Sequence, residues 1–297
     1  MRRLGSTAEK ATKKELAIVV FELKARFPLN ALLKFANLAR STYYAIIKGL
    51  NRVDKYTESR AILHHICESH FGRYGYRRVT VEMRKQGVCI NHKVVMRLMK
   101  EEDLNSKVRI KKYRSYRGQI GRVAPNVIGR DFKADKPNQK WTTDVTEFSL
   151  FGRKLYLSPI LDMFNGEIVS YDISTTPVLS QVMNMLDKAF AKVKDTEGLI
   201  FHSDQGWQYH HTYYQKALKN HGIIQSMSRK GNCLDNSVME NFFGLLKSEL
   251  LYLQEFKSLE DFEKQLHEYI HYYNKRIKLK LKGMSPVEYR THSRLIA

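Results

Sequence analysis

Three acidic residues stand where phosphodiester chemistry could use them: Asp144 in TTDVTEF, Asp204 in FHSDQG and Glu240 in NSVMENFF. Metal-assisted cutting of a phosphodiester uses two divalent ions roughly 3.5–4 Å apart. Hard, oxygen-preferring Mg²⁺ is satisfied by a few converging carboxylates plus waters. Asp144 falls in a β-rich run, Asp204 follows the short apolar strand LIFH, and Glu240 sits on a helix. Open α/β sheets bind ligands beyond the carboxyl ends of their strands, which suits Asp204. Any one of these acids alone reads first as structural. Together, on a strand, a strand end and a helix face, they point to a site for divalent metal.

The helix carrying Glu240 is dense in Met, Phe and Leu, yet it keeps Glu240 and Lys247. At about 100° per residue, Asn236, Ser237, Gly244 and Lys247 all fall within about 60° of Glu240. Val238, Met239, Phe242, Leu245, Leu246 and Leu250 take the far side, as a core-facing stripe requires. Glu240 therefore heads a polar strip, with Lys247 two turns on and placed to meet a phosphate. Glu249 falls on the apolar side, and the sequence offers no account of it.

The elements that must hold these residues fall into four stretches. Residues 1–55 read as two or three short helices, with Ser41 an expected N-cap and Gly49 an expected terminator; a helix-turn-helix and a plain helical hairpin both fit. Residues 56–106 form a second helical unit, ESRAILHHICESH, YRRVTVEMRKQG and an Asn91-capped INHKVVMRLMKEEDL, with Arg77, Arg78, Arg84, Lys93 and Arg97 facing outward as in a DNA-binding helix pair. The neighbouring His64 and His65 lack partners at metal-ligand spacing. Residues 107–136 are a basic linker: Lys107 to Arg130 holds eight basic residues, Lys111, Lys112 and Arg114 among them, no acidic ones, and Tyr113 and Tyr116. It can track a phosphate backbone and stack on bases, or serve as a soluble tether. Residues 137–297 turn to strands. WTTDVTEFSL, KLYLSPILDMF and EIVSYDIS run first, the last two joined at Asn165-Gly166, then helices alternate with LIFHSD and IIQSMS before two or more closing helices. This predicts a mixed α/β fold of the ribonuclease H arrangement, a five-stranded sheet flanked by helices, behind an all-α front.

Charge divides at the same place. Of 51 Lys and Arg and 30 Asp and Glu, residues 1–130 hold 29 and 10, leaving 22 and 20 for residues 131–297. The net charge of +21 is therefore +19 in front and +2 behind, a polyanion-binding module joined to a balanced domain. Three scattered cysteines form no CxxC pair, which argues against a disulfide framework and fits a reducing cytoplasm. No apolar run approaches the roughly 20 residues of a membrane span, and no signal peptide is visible.

WTTDVTEF, FHSDQGWQY and SMSRKGNCLDNSVMENFFGLLKSEL strongly resemble the catalytic core of bacterial DDE-type insertion-sequence transposases, the IS3 family, whose second reading frame encodes a core akin to retroviral integrases. The 35 residues between Asp204 and Glu240, and Lys247 seven after Glu240, match that family's spacing, as does the closing YNKRIKLKLKGMSPVEYR. The segment from Phe71 to Leu104 resembles the helix-turn-helix ahead of the core. The resemblance implies that Asp144, Asp204 and Glu240 bind two Mg²⁺, with Mn²⁺ able to substitute. It also implies strand cleavage at element ends, followed by attack of the freed 3′-hydroxyl on a second phosphodiester. Lys247 would position the terminal phosphate, and Arg229, Lys230, Asn232 and Asn236 would line the DNA. The implied partners are double-stranded DNA, as terminal repeats and target, and further copies of the chain assembled on it, near the nucleoid. With no leucine-zipper heptads visible, the chain is expected to be the second-frame product, acting with or fused to a first-frame partner. A non-catalytic DNA-binding regulator of transposition is the alternative, and a purely hydrolytic nuclease a third; three intact acids speak against the first and the basic front against the second.

Overall fold

The computed structural model describes residues 12–50, 54–106 and 124–296. The chain divides into two compact units, residues 1–61 and 62–297. In the first, α1 (Lys13–Leu23), α2 (Leu29–Phe35) and α3 (Arg40–Leu50) enclose a small core of Ala17, Val20, Leu33, Leu38 and Tyr43. Thr12 and Glu15 exchange bonds across the start of α1, a capping box that satisfies two otherwise orphaned backbone donors. The expected cap at Ser41 and stop at Gly49 are corrected: α3 begins at Arg40 and runs through Gly49. The turn falls earlier, where Asn37 takes the left-handed conformation that asparagine tolerates.

The second unit opens within α4 (Thr57–Ser69) and continues through α5 (Tyr76–Lys85) and α6 (His92–Glu101). Asn91 caps α6 as its type and position predict, accepting from the Lys93 amide at 2.9 Å. His64 is spent on Glu102 at 3.0 Å rather than on a metal. These helices dock on the closing helices. The Tyr74 hydroxyl accepts from the Ile277 amide at 3.2 Å, and buried Arg73 lies over the rings of Tyr269 and Tyr272 at 5.3 and 4.9 Å.

Among the described residues the sheet has six strands: β1 (Lys140–Thr143), β2 (Thr146–Leu150), β3 (Arg153–Asp162), β4 (Ile168–Ser174), β5 (Ile200–Ser203) and β6 (Ile224–Met227). The expected single strand WTTDVTEFSL is two. β1 and β2 lie end to end along the same edge of β3, β2 pairing its first half and β1 its last residues, and the break falls at Asp144-Val145. β4 pairs the other edge of β3, and β5 and β6 follow β1 in parallel. Counting β1 and β2 as one interrupted strand recovers the expected five-stranded mixed sheet. Gly166 takes the positive φ of the β3–β4 connection, which is five residues long rather than a two-residue turn.

Helices cover both faces. On one, α7 (Leu179–Lys192) and α8 (Thr212–Asn220) bury Val182, Met185, Leu186, Tyr214 and Leu218 against Trp141, Ile160, Phe201 and Met227. On the other, α9 (Ser237–Leu246) and α10 (Leu259–Lys275) set Met239, Phe242, Leu246, Phe262, Leu266 and Tyr269 against Phe148, Leu155, Leu157 and Ile168. The final helix, α11 (Pro286–Ile296), carries Arg290, which donates to Asp162 at 2.6 Å and to Asn138 at 3.0 Å. No helix among the described residues is long and apolar enough to cross a membrane.

Lys278, between α10 and α11, donates to the Gly166 carbonyl and the Tyr273 hydroxyl, each at 2.9 Å. Burial, with Arg276 and Arg78 nearby, pushes its ammonium down to about 7. An unfolded lysine titrates near 10.4, so between those values the unfolded chain holds the extra proton and stability from this group rises with pH. Comparing wild type with Lys278→Met by denaturant unfolding at about pH 7 and about pH 9.5, the difference is expected to move in favour of wild type at the higher pH. An unchanged difference would contradict the buried-charge assignment.

Candidate active site

Asp144 and Asp204 are brought together by strand register. β1 and β5 run parallel with Thr142 opposite His202, so the residues two further on, Asp144 and Asp204, fall on neighbouring strand ends. Neighbouring strands lie about 4.8 Å apart. Each carboxylate is fixed by a backbone amide just downstream: Val145 donates to Asp144 at 2.7 Å and Gly206 to Asp204 at 2.9 Å. Burial, then the Asp204 charge, then Glu240, raise the Asp144 acid well above the usual carboxylate range, against the pull of Lys247. Burial also raises Asp204. Glu240, on the first turn of α9, is thus close enough for its charge to act on Asp144, and both are half-buried.

Among the described residues, no three His, Cys, Asp or Glu side chains already form a group that could hold a metal ion. The donor chemistry nevertheless fits a hard divalent cation, since all three are carboxylates and their excess negative charge is what such an ion neutralises.

The wheel assignment of α9 holds for its apolar side, where Met239, Phe242, Leu246 and Leu250 are buried. Past Leu246 the helix widens into a π turn, Lys247–Leu251, a device that often marks functional sites. Glu249 is buried there, accepting from the Tyr269 hydroxyl at 2.9 Å and paired with the Arg276 guanidinium. That is the account the sequence lacked: Glu249 faces the core because a buried arginine waits for it. Lys247 sits over the Phe148 ring at 5.7 Å, its charge reaching Asp144 and Glu147.

An integrase core domain model matches residues 134–233, a second integrase core model residues 240–293, and an HTH-like domain model residues 56–112. The putative transposase InsK of insertion sequence element IS150 from Escherichia coli is 53% identical over 276 residues, covering 93% of this chain and 98% of the relative. The chain belongs to the IS3 family of insertion-sequence transposases. The E. coli transposase InsF of IS3A is 31% identical over 253 residues, covering 83% of this chain and 88% of the relative. The catalytic core domain of the HTLV-2 integrase in complex with magnesium aligns over 52% of this chain and 98% of that one, at 18% identity and a TM-score of 0.43.

The DNA-facing candidates of this transposase fall into distinct places. Lys93 and Arg97 are exposed on one face of α6, Arg97 pairing with Glu101 one turn on. Arg77 is exposed on α5, its guanidinium bonded to the Tyr76 hydroxyl at 3.1 Å. Arg78 instead turns toward Tyr74, 5.4 Å from its ring. Lys230 is exposed and Asn232 half-exposed in the loop before α9. Arg229 gives three hydrogen bonds to buried Asp235, from its amide at 3.0 Å and its guanidinium at 2.9 Å twice. Asn236 is only 4% exposed, and both ends of its amide are used on β1. The expectation that it lines DNA is corrected: it lies inside the fold. Lys111, Lys112 and Arg114 lie outside the described residues.

Sequence reasoning missed Asp235, which the Arg229 and Arg130 guanidiniums hold well below the usual carboxylate range, and Tyr209, whose hydroxyl is pushed well up by full burial first and then by the charges of Asp144 and Asp204. It also missed the service of Gly206. A Cβ there would stand 2.6 Å from Gln208 Nε2 and 3.0 Å from Asp204 Oδ1. Gly206→Ala is expected to keep its thermal midpoint within about 2 °C, since the flexible end of Gln208 can give way, yet lower strand cleavage about three- to tenfold, since the Asp204 carboxylate must shift by a few tenths of an ångström. Wild-type rates in the variant would show that Asp204 tolerates the push.

Proposed function

We propose that this chain cleaves and joins DNA strands at insertion-sequence ends, with Asp144, Asp204 and Glu240 holding two Mg²⁺ ions that Mn²⁺ can replace. The parallel register of β1 and β5, which sets the two aspartates side by side with Glu240 in electrostatic reach, is the observation that carries this reading. When bound, such a metal pair supplies positive charge at the scissile phosphate and a water of lowered pKa. The protein's own part is positional. Two acids directly follow the ends of paired strands and one rides on a helix packed to the sheet, so the carboxylates accept the load without large backbone motion. Lys247 holds a phosphate oxygen beside them, and Lys230 and Asn232 contact the strand near the site. Lys93, Arg97 and Arg77 grip terminal-repeat DNA from the HTH-like helices, with Lys111, Lys112 and Arg114 following the backbone. The regulator alternative gains no support from an acid set held at neighbouring strand ends.

The test incubates the full chain with end-labelled element ends, with and without Mg²⁺. Cleavage and joined products are expected only with the divalent ion, and Mn²⁺ is expected to restore them after chelation. Products formed undiminished in chelator would overturn the metal reading.

A further inference from the structure

We propose that Asn236 is a positioning residue: its amide ties the start of α9 to β1 and so sets Glu240 against Asp144. This rests on the metal-site reading above. The Thr142 hydroxyl donates to Asn236 Oδ1 at 2.6 Å, and Asn236 Nδ2 donates to the Thr143 carbonyl at 3.2 Å. Thr142 and Thr143 are fully buried. Thr143 directly precedes Asp144, and Asn236 stands four residues, about one helical turn, before Glu240. One side chain therefore spans from the strand carrying the first acid to the helix carrying the third.

The residue type suits the partners. The Asn236 amide accepts from the Thr142 hydroxyl with one atom and donates to the Thr143 carbonyl with the other; a carboxylate would face the Thr143 oxygen with a second acceptor and add another negative charge. The neighbouring Asp235 fixes the same loop from the other side, receiving Arg130 at 2.8 Å and Asn126 at 3.0 Å besides the three bonds from Arg229. Residues 229–236 thus reach α9 already anchored at both ends.

The test uses the full chain and Mn²⁺ as probe, with its binding measured by calorimetry and by the paramagnetic resonance of free ion, without DNA. Binding of element-end DNA is measured separately in chelator. Asn236→Ala and the isosteric Thr142→Val are expected to weaken Mn²⁺ binding about ten- to a hundredfold, as loss of outer-shell support does, with DNA affinity held within about twofold. Thr142→Ser, which keeps the hydroxyl, is expected to bind Mn²⁺ like wild type. If Asn236→Ala fails to fold, Thr142→Val carries the decision. Unchanged Mn²⁺ binding in these variants, with or without a fall in DNA affinity, overturns the proposal. A Glu240→Gln arm separates the two levels: weak binding there with normal binding in Asn236→Ala sinks the tie alone. Wild-type binding in Glu240→Gln removes the metal-site reading, and the tie with it.

Discussion

Replacing Glu240 by Gln is expected to lower DNA strand cleavage by about a thousandfold or more while leaving the fold intact and the metal-free protein no less stable. The substitution keeps size and shape and removes one negative charge from the surroundings of Asp144. A thousandfold loss is about 4 kcal/mol of transition-state stabilisation, the scale of a lost charge contact to a catalytic metal pair. In the metal-free protein that charge is one of the two acidic neighbours that, after burial, raise the Asp144 acid. Function and stability therefore pull apart here, as they do at strained active sites. Gel analysis of end cleavage beside calorimetric unfolding checks both halves. Cleavage within about threefold of wild type would remove Glu240 from the acid set, and a clear drop in thermal midpoint would make it a structural residue.

The largest expected stability effect lies behind the same helix. Arg276→Met leaves the Glu249 carboxylate buried, with the Tyr269 hydroxyl still donating to it. Both side chains of the pair are nearly inaccessible, at 1% and 6%. Removing one partner of such a pair costs about 3–5 kcal/mol, because the other charge stays desolvated. At about 2–4 °C per kcal/mol for a unit of this size, the midpoint is expected to fall by about 6–20 °C. Adding Glu249→Gln is expected to recover much of that loss, since a neutral amide is cheaper to bury than a lone carboxylate. A single variant melting within about 2 °C of wild type would mean that water reaches Glu249 after all. Glu249 also lies in the π turn that begins at Lys247.

Much of this architecture was legible in local pattern. β-rich runs marked β3 and β4, a period-3.6 apolar stripe marked α9, and Asn91 announced the start of α6, because side-chain periodicity and capping are set within a few residues. The break in the first strand was not legible: TTDVTEF keeps strand chemistry throughout, and only pairing along β3 shows that Asp144 leaves the ladder. Asn236 misled for a related reason. A wheel reports which residues share a face, and the face carrying Glu240 has β1 beneath its first turn and open surface further on.

The sequence by itself picked out the acids, the charge division and the family, since each depends on residue identity and short-range order. The tertiary structure decided what they meet. Asp144 and Asp204 became neighbours through the register of strands 60 residues apart. Glu249 found Arg276 27 residues on, and Asn236 found Thr142 94 residues back. Hydrogen bonds and charge pairs act over a few ångströms, and chain separation says little about such distances until strands have paired and helices have packed.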